Sequence, residues 1–346
     1  MGEQTMVANE NDTVMQTSDE PIVLGPMVRY TSECEASMWV ETRDAGEVAV
    51  ITDGGRWSAR TFGAHGHHYA LVILDGLEPG QTYGYRVEVN GEQAWPLADS
   101  PFPDPFFKTL LHSRPTKMAF GSCRTSEPHD AKSNRKNGID SLRAVAHEIA
   151  RDPHDERWPD LVVLLGDQVY ADETSEAMQE YIEARRGLDA PPGEELKDYV
   201  EYAHLYRLAY SEPAVRWLLS TLPSAMIFDD HDVRDDWNTS ADWRAQMEAT
   251  DWWHDRIVAA LGDAARRRRQ LVLQRVDDAL LDLRVRRPHD PAGTFRAVVD
   301  VLGAHGALKL DAVKFGWAFL SADDVTVKHS AYVFIARFLQ AFDSPP

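Results

Sequence analysis

Cysteine is scarce: Cys34 and Cys123 are the only two in 346 residues. They fall in segments of different character, so a disulfide framework is not the organising device and a reducing compartment suits the chain. No run approaches the roughly 18 apolar residues that a membrane span needs. The opening stretch, MGEQTMVANENDTVMQTSDEP, holds no Lys or Arg, no apolar core and no twin arginine, unlike a secretory signal. It reads as a disordered acidic arm over 1–20, and the expected location is the cytoplasm, without a membrane partner. Positive charge is also short: 36 Lys and Arg stand against 56 Asp and Glu, a net charge of −20. That balance opposes general binding to nucleic acid or anionic lipid. Internal repeats are lacking, and no low-complexity tract is longer than Arg266–Arg269.

What is present divides the chain. Over 21–112, short alternating runs stand at Met27–Tyr30, Ser37–Glu41, Glu47–Ile51, Tyr69–Leu74 and Thr82–Val89. Turn signals separate them: Asp53-Gly54-Gly55, Glu78-Pro79-Gly80 and Asn90-Gly91. Even spacing of short strands predicts a β-sandwich. The segment DGLEPGQTYGYRVEVNG at 75–91 resembles the corner of a fibronectin type III domain, so the domain is expected to be Ig/fibronectin-III-like, a packing partner for a second, C-terminal domain, with a binding module as the alternative. Residues 96–108, PLADSPFPDPFFK, hold four prolines and read as the linker. From 113 the pattern is α/β, with apolar strand runs at Lys117–Phe120, Asp160–Leu165 and Ala225–Phe228. Helical spacing separates them at Ile139–Ala150, Met178–Arg186, Leu196–Tyr210 and Val215–Leu219. A further helical pattern covers 264–287.

Three segments carry the chemistry: FGSCR at 120–124, LLGDQVYAD at 164–172 and IFDDHDVRDDWN at 227–238. Each follows a buried strand run. Ligands of open α/β sheets sit at the carboxyl ends of strands, so all three are expected at one sheet edge. Asp167 leaves its strand after Gly166, and its carboxylate can bridge two cations. Tyr170 is a poor ligand unless the ion is strongly Lewis-acidic, as Fe(III) is, and Cys123 could offer a thiolate to the same ion. The run Asp229, Asp230, His231, Asp232 would be costly to bury without a cation.

Together the three segments resemble the alkaline phosphatase D (PhoD-like) metallophosphoesterases, and GDQVYAD also matches the Gly-Asp-x-x-Tyr pattern of purple acid phosphatases. The stretch GPMVRYTSECEASMWVET resembles the β-sandwich that precedes the catalytic domain in this family, and the likeness covers roughly 24–260. It implies an α/β fold in which the sandwich is followed by a metallophosphatase-type α/β/β/α sandwich over 113–346. By motif, Cys123 would be an iron ligand, Asp167 the bridging carboxylate, Tyr170 the phenolate and Asp230 the ligand of the second metal. His231 would stabilise the leaving oxygen and Arg124 would contact the phosphate. The implied cofactors are Fe(III) and a second divalent ion, Ca before Mg, Mn or Zn. The implied activity is hydrolysis of small-molecule phosphate mono- or diesters by a metal-bound hydroxide.

The chain departs from the family beyond 262. The Gly-Asp-Val-His stretch is missing, and so is a Tyr-Gln-His-Leu-Gly-Asn continuation after DWWHDRI (251–257). Two readings stay open. The chain is a catalytically impaired, metal-binding homologue lacking its C-terminal ligands, the favoured one, or 262–346 rebuilds them from His289, His305, His329, Asp311, Asp323 or Asp324. Under the favoured reading the last 85 residues supply too few strands for a second sheet, pack poorly and are cleaved by protease beyond Leu261. The arginines of 266–287 are interrupted by Asp277, Asp278 and Asp282 and lack aromatic partners, which argues against a nucleic-acid partner.

Overall fold

A computed structural model describes residues 20–125, 127–227, 229–237 and 239–266, with side chains to 260. The chain divides into two units, 1–263 and 264–346. Apart from the end of the last helix, expectations placed on 262–346 lie outside the described residues: the long helix, the six candidate ligands, the packing and the protease site. The acidic arm over 1–20 lies outside them too, but for Glu20.

The N-terminal half is antiparallel. Its strands are β1 (Ile22–Thr31), β2 (Glu35–Thr42), β3 (Glu47–Thr52), β4 (Gly55–Arg60), β5 (Phe62–Ala64), β6 (His67–Asp75), β7 (Thr82–Val89), β8 (Glu92–Trp95) and β9 (Phe106–Lys108). They form one sheet in the order β1-β2-β6-β5 and another in the order β4-β3-β7-β8, with β9 also pairing β7. Val28, Met38, Val40, Val72 and Leu74 of the first sheet share a core with Val48, Val50, Val87 and Val89 of the second. The sequence underestimated two things. β4 has an alternating half-exposed pattern with Arg56, Ser58 and Arg60, so it lacks an apolar signal. The segment 96–108 is not a free linker: β9 pairs β7, and Phe102 stacks on Trp217 at 5.6 Å.

The second half begins at β10 (Met118–Gly121), followed by α1 (Ala131–Asn137), α2 (Ser141–Arg151), β11 (Leu161–Leu165), α3 (Glu176–Arg186), α4 (Tyr199–Tyr210), α5 (Pro213–Thr221), β12 (Ser224–Ile227), α6 (Ala241–Glu248) and α7 (Trp253–Arg266). The three strands are parallel in the order β10-β11-β12. The second sheet of an α/β/β/α sandwich is not among the described residues. α2 starts where Asp140 accepts hydrogen bonds from the N–H groups of Leu142 and Arg143, leaving Ile139 outside the helix. Pro213 opens α5, with Glu212 as its cap, and so divides α5 from α4.

The two halves meet through β1 and β2, buried along most of their length, and through Tyr69 of β6. Leu24, Met27, Trp39 and Tyr69 belong to the same core as Leu164, Tyr202, Trp217 and Leu218. This packing fixes the parallel sheet and leaves its carboxyl edge to the loops.

Candidate metal centre

Three loops leave that edge. The loop after β10 is tied to the loop after β11 by backbone hydrogen bonds: Cys123 N–H donates to Gly166 O at 3.2 Å and Arg124 N–H to Asp167 O at 3.3 Å. The backbone is left-handed at Cys123 (φ 57°), Gly166 (φ 109°) and Asp167 (φ 46°), a conformation that costs a non-glycine residue energy. Gly166 is required on a second count, because a Cβ there would stand 2.5 Å from the Asp229 Cβ. The absent side chain lets the loop after β12 close onto the loop after β11.

That third loop forms a 3-10 turn over Asp230–Asp232. Asp232 is its anchor. Its Oδ1 accepts from the N–H groups of Gln168 (3.0 Å) and Val169 (3.2 Å), and its Oδ2 from Asp229 N–H (3.0 Å). Burial pushes its carboxyl up to about 7, although the N–H groups of Asp229 and Val169 oppose the rise. The fully buried Arg256 donates to Val233 O at 2.9 Å, so α7 braces the same loop.

The result is a cluster of carboxylates. Asp167, Asp229 and Asp230 each present a ligand atom within 4.8 Å of the others. Asp230 also groups in this way with the exposed Asp235 and Asp236. Burial raises the Asp229 carboxyl above its ordinary range, and the charges of Asp167 and Asp230 add to the rise. The Cys123 thiol lies 3.2 Å from Asp167 Oδ2. Ser122 pulls that thiol down, but Asp167 and burial leave it above its usual value. Tyr170 sits beside Cys123 and Thr125, and its phenol is pushed up to about 12 by burial, then by Asp167 and Cys123. Its ring lies 4.5 Å from that of His231.

His231 is oriented from both ends. Its N–H donates to Asp167 Oδ1 at 3.3 Å, and its Nδ1 contacts Asp172 Oδ1 at 3.0 Å. Burial alone would lower the imidazole; Asp172, Asp167 and Asp230 outweigh it and raise it. Arg124, expected to contact the phosphate, is held from the side of α2. Its guanidinium binds Asp140 at 2.9 Å and the Ala209 carbonyl at 2.7 Å, a brace between the Cys123 loop and the start of α2.

The structure thus brings Cys123, Asp167, Tyr170, Asp230 and His231 to one sheet edge. Sequence reasoning left out Asp229, which it had seen only as part of the run. It also left out Asp172, which lies inside the GDQVYAD motif, and the anchoring role of Asp232. No spacing separates these acids from their neighbours; the 3-10 turn places Asp229 and Asp232, and the loop after β11 places Asp172 against His231.

Residues 141–264 match the family model described as PhoD-like phosphatase. Asp167, Tyr170, Asp172, Asp229, Asp230 and His231 fall inside the match; Cys123 and Arg124 precede it. Residues 19–107 match a model described as a domain of unknown function, DUF7800, and 297–346 match one described as the Tra1 HEAT repeat ring region. No curated relative matches the chain. Among solved structures, "Structure of PhoD" is 18% identical, covers 63% of this chain and 41% of its own, and has a TM-score of 0.45. The chain spans about two fifths of that structure's length. A carbohydrate acetylesterase from Xanthomonas citri is 11% identical, covers 70% of this chain and 75% of its own, and has a TM-score of 0.19. Among the described residues, no helix is long and apolar enough to cross a membrane.

Proposed function

We propose that this chain, which is PhoD-like over 141–264, is a metal-dependent phosphoric ester hydrolase acting on small-molecule phosphate mono- or diesters. The convergence of three acids supports the reading: Asp167, Asp229 and Asp230 crowd their ligand atoms within 4.8 Å. Like charges at that distance repel unless a cation lies between them. The donor set fits two kinds of ion. Carboxylate oxygens suit a hard divalent cation, with Ca first and Mg, Mn or Zn as alternatives. Cys123 and Tyr170, beside Asp167, suit Fe(III). When bound, such ions supply Lewis acidity toward a phosphoryl group and lower the pKa of water.

The chain's own residues do the rest. Asp167, shared between the two sides, holds them in register. Asp172 fixes the His231 ring through Nδ1, which directs Nε2 to the leaving oxygen. Arg124 acts as a positioning residue through Asp140. The N-terminal pair of sheets, an Ig/fibronectin-III-like sandwich over 21–112, serves as a packing domain for the catalytic part over 113–346.

A second reading has its own support. The sequence beyond 262 lacks the Gly-Asp-Val-His stretch of the family, as in a metal-binding homologue without its later ligands. Turnover of p-nitrophenyl phosphate and bis(p-nitrophenyl) phosphate, measured with metal content, separates the two. The hydrolase reading expects both turnover and stoichiometric metal in the full chain, with both lost in Asp167→Asn. Metal without turnover selects the impaired homologue. Neither metal nor turnover rejects the centre itself.

A further inference from the structure

Three tyrosines stand four residues apart on α4: Tyr202, Tyr206 and Tyr210. That spacing puts them on one face of the helix, and all three are buried. Each hydroxyl ends on a loop of the candidate metal centre. Tyr202 donates to Asp232 O at 3.0 Å and Tyr206 to Asp232 Oδ1 at 3.4 Å. Tyr210 donates to Gln168 Oε1 at 2.9 Å. Phenylalanine would fill the same space without a polar atom to satisfy. A buried hydroxyl is costly unless it meets a partner, so the stripe dictates where the two loops must stand.

Gln168 follows Asp167 directly and is only 5% exposed. Its Nε2 donates to Ile227 O at 3.1 Å. Leu165 and Ile227 are the last paired residues of β11 and β12, so the side-chain amide carries on where the strand ladder stops. The turn that bears Asp229 and Asp230 is thereby pinned at both ends. At its far end Asp232 accepts from the N–H groups of Gln168 and Val169, and Ala171 N–H donates to His231 O at 2.9 Å. At its root the Gln168 amide holds Ile227. The far pins use backbone donors that any residue but proline could supply. The root pin belongs to one side chain.

We infer that Gln168, oriented by Tyr210, is a positioning residue that sets the distance of Asp230 from Asp167, and so the separation of the two metal positions. The inference rests on the metal-dependent reading above. The Cys123 side of the centre is held separately, by the bonds from Cys123 and Arg124 N–H to Gly166 O and Asp167 O. Loss of the root pin therefore loosens the position served by Asp230 and spares the one served by Cys123 and Tyr170.

The test measures iron content by elemental analysis and Ca²⁺ affinity by isothermal titration calorimetry, on the iron-loaded full-length protein. Gln168→Leu keeps the bulk of the side chain and its backbone donor but removes both amide bonds. It is expected to retain wild-type iron content and to bind Ca²⁺ about tenfold to a hundredfold more weakly, the range for a group that supports a metal ligand. Tyr210→Phe deletes only the hydroxyl that orients the amide. Its expected loss of Ca²⁺ affinity is about twofold to tenfold, the worth of one neutral hydrogen bond. The double variant should bind Ca²⁺ no more weakly than Gln168→Leu, because the two residues act through one chain of bonds. A merely structural role would weaken both ions together and add in the double variant. If Gln168→Leu does not fold, Tyr210→Phe decides by the same split between iron and Ca²⁺. Unchanged Ca²⁺ affinity in the folded variants, or iron and Ca²⁺ lost in parallel, overturns the inference and leaves the metal centre standing. A wild type that lacks either ion removes the two positions themselves, and the inference falls with the reading it rests on.

Discussion

At Cys123 and Asp167 the backbone is left-handed although neither residue is glycine. Such positions persist only where surrounding bonds over-determine them, and here the Cys123-to-Gly166 and Arg124-to-Asp167 hydrogen bonds do so. Both side chains are thereby turned to one point. The same point governs Tyr170, whose phenol is pushed up to about 12 by burial and by the charge of Asp167. In a site holding Fe(III) that phenol would release its proton to solvent on binding the ion, and a phenolate bound to ferric iron absorbs visible light. Iron-loaded protein is therefore expected to be violet to red-brown. Tyr170→Phe should remove the visible band while leaving the circular dichroism spectrum unchanged. A colourless wild-type protein with stoichiometric iron would show that Tyr170 is not a ligand. Their meeting at one edge was legible because each follows an apolar strand run, although the strand before Cys123, expected to be buried, leaves Met118 and Phe120 exposed. Asp229 and Asp172 were not, because an acid next to another acid looks the same whichever of them turns inward.

Among the elements, α2, α3 and α4 were legible from apolar residues at helical spacing, and α5 from the apolar run that the structure buries on every side. α1 was not, since it buries no residue and so leaves no apolar period to read. α4 carries a titratable group with a consequence for stability. His204 stacks on Tyr181 of α3, with ring centroids 3.8 Å apart and planes 9° apart. Burial lowers its pKa to about 4, helped by the charge of Arg207. The unfolded value is near 6.5, so the unfolded chain binds the proton more readily. The neutral ring's contribution is then fully present above about pH 6.5 and is lost as pH falls toward 4. At the acid end the loss approaches about 3 kcal/mol. His204→Phe keeps a stacked ring without a proton site. Urea unfolding midpoints at pH 7 and pH 4.5 should therefore converge in this variant relative to the wild type. An equal acid-induced drop in both proteins would show that His204 is not the group responsible.

On the scale of the whole described unit, the sequence drew a boundary where the structure has a seam held by polar bonds. Proline and the loss of periodicity over 96–108 made that segment read as a linker, because a pattern of strand pairing cannot be seen from one strand alone. The structure crosses the seam repeatedly. Tyr85 donates to Ser220 O at 2.5 Å, Trp217 to Pro103 O at 2.8 Å and Arg29 to Ser224 Oγ at 3.0 Å. Arg216 of α5 donates to Gly25 O at 2.7 Å and lies 4.7 Å over the Trp95 ring. Its side chain is buried, so removing it strands the Gly25 carbonyl and opens a cavity between the halves. Arg216→Ala is expected to cost about 2–4 kcal/mol, the range for a buried donor lost together with its packing. The expected signature is one shared transition, because the antiparallel sheets and the helices of α4 and α5 bury surface in a common core. Tryptophan fluorescence reports on both halves, and far-ultraviolet circular dichroism is dominated by the helices. In the wild type and in Arg216→Ala the two probes should give coincident urea curves, shifted together in the variant. Separate midpoints in the wild type would mean that the seam is too weak to couple the halves, and that the boundary read from the prolines describes the folding of the chain better than the bonds across it.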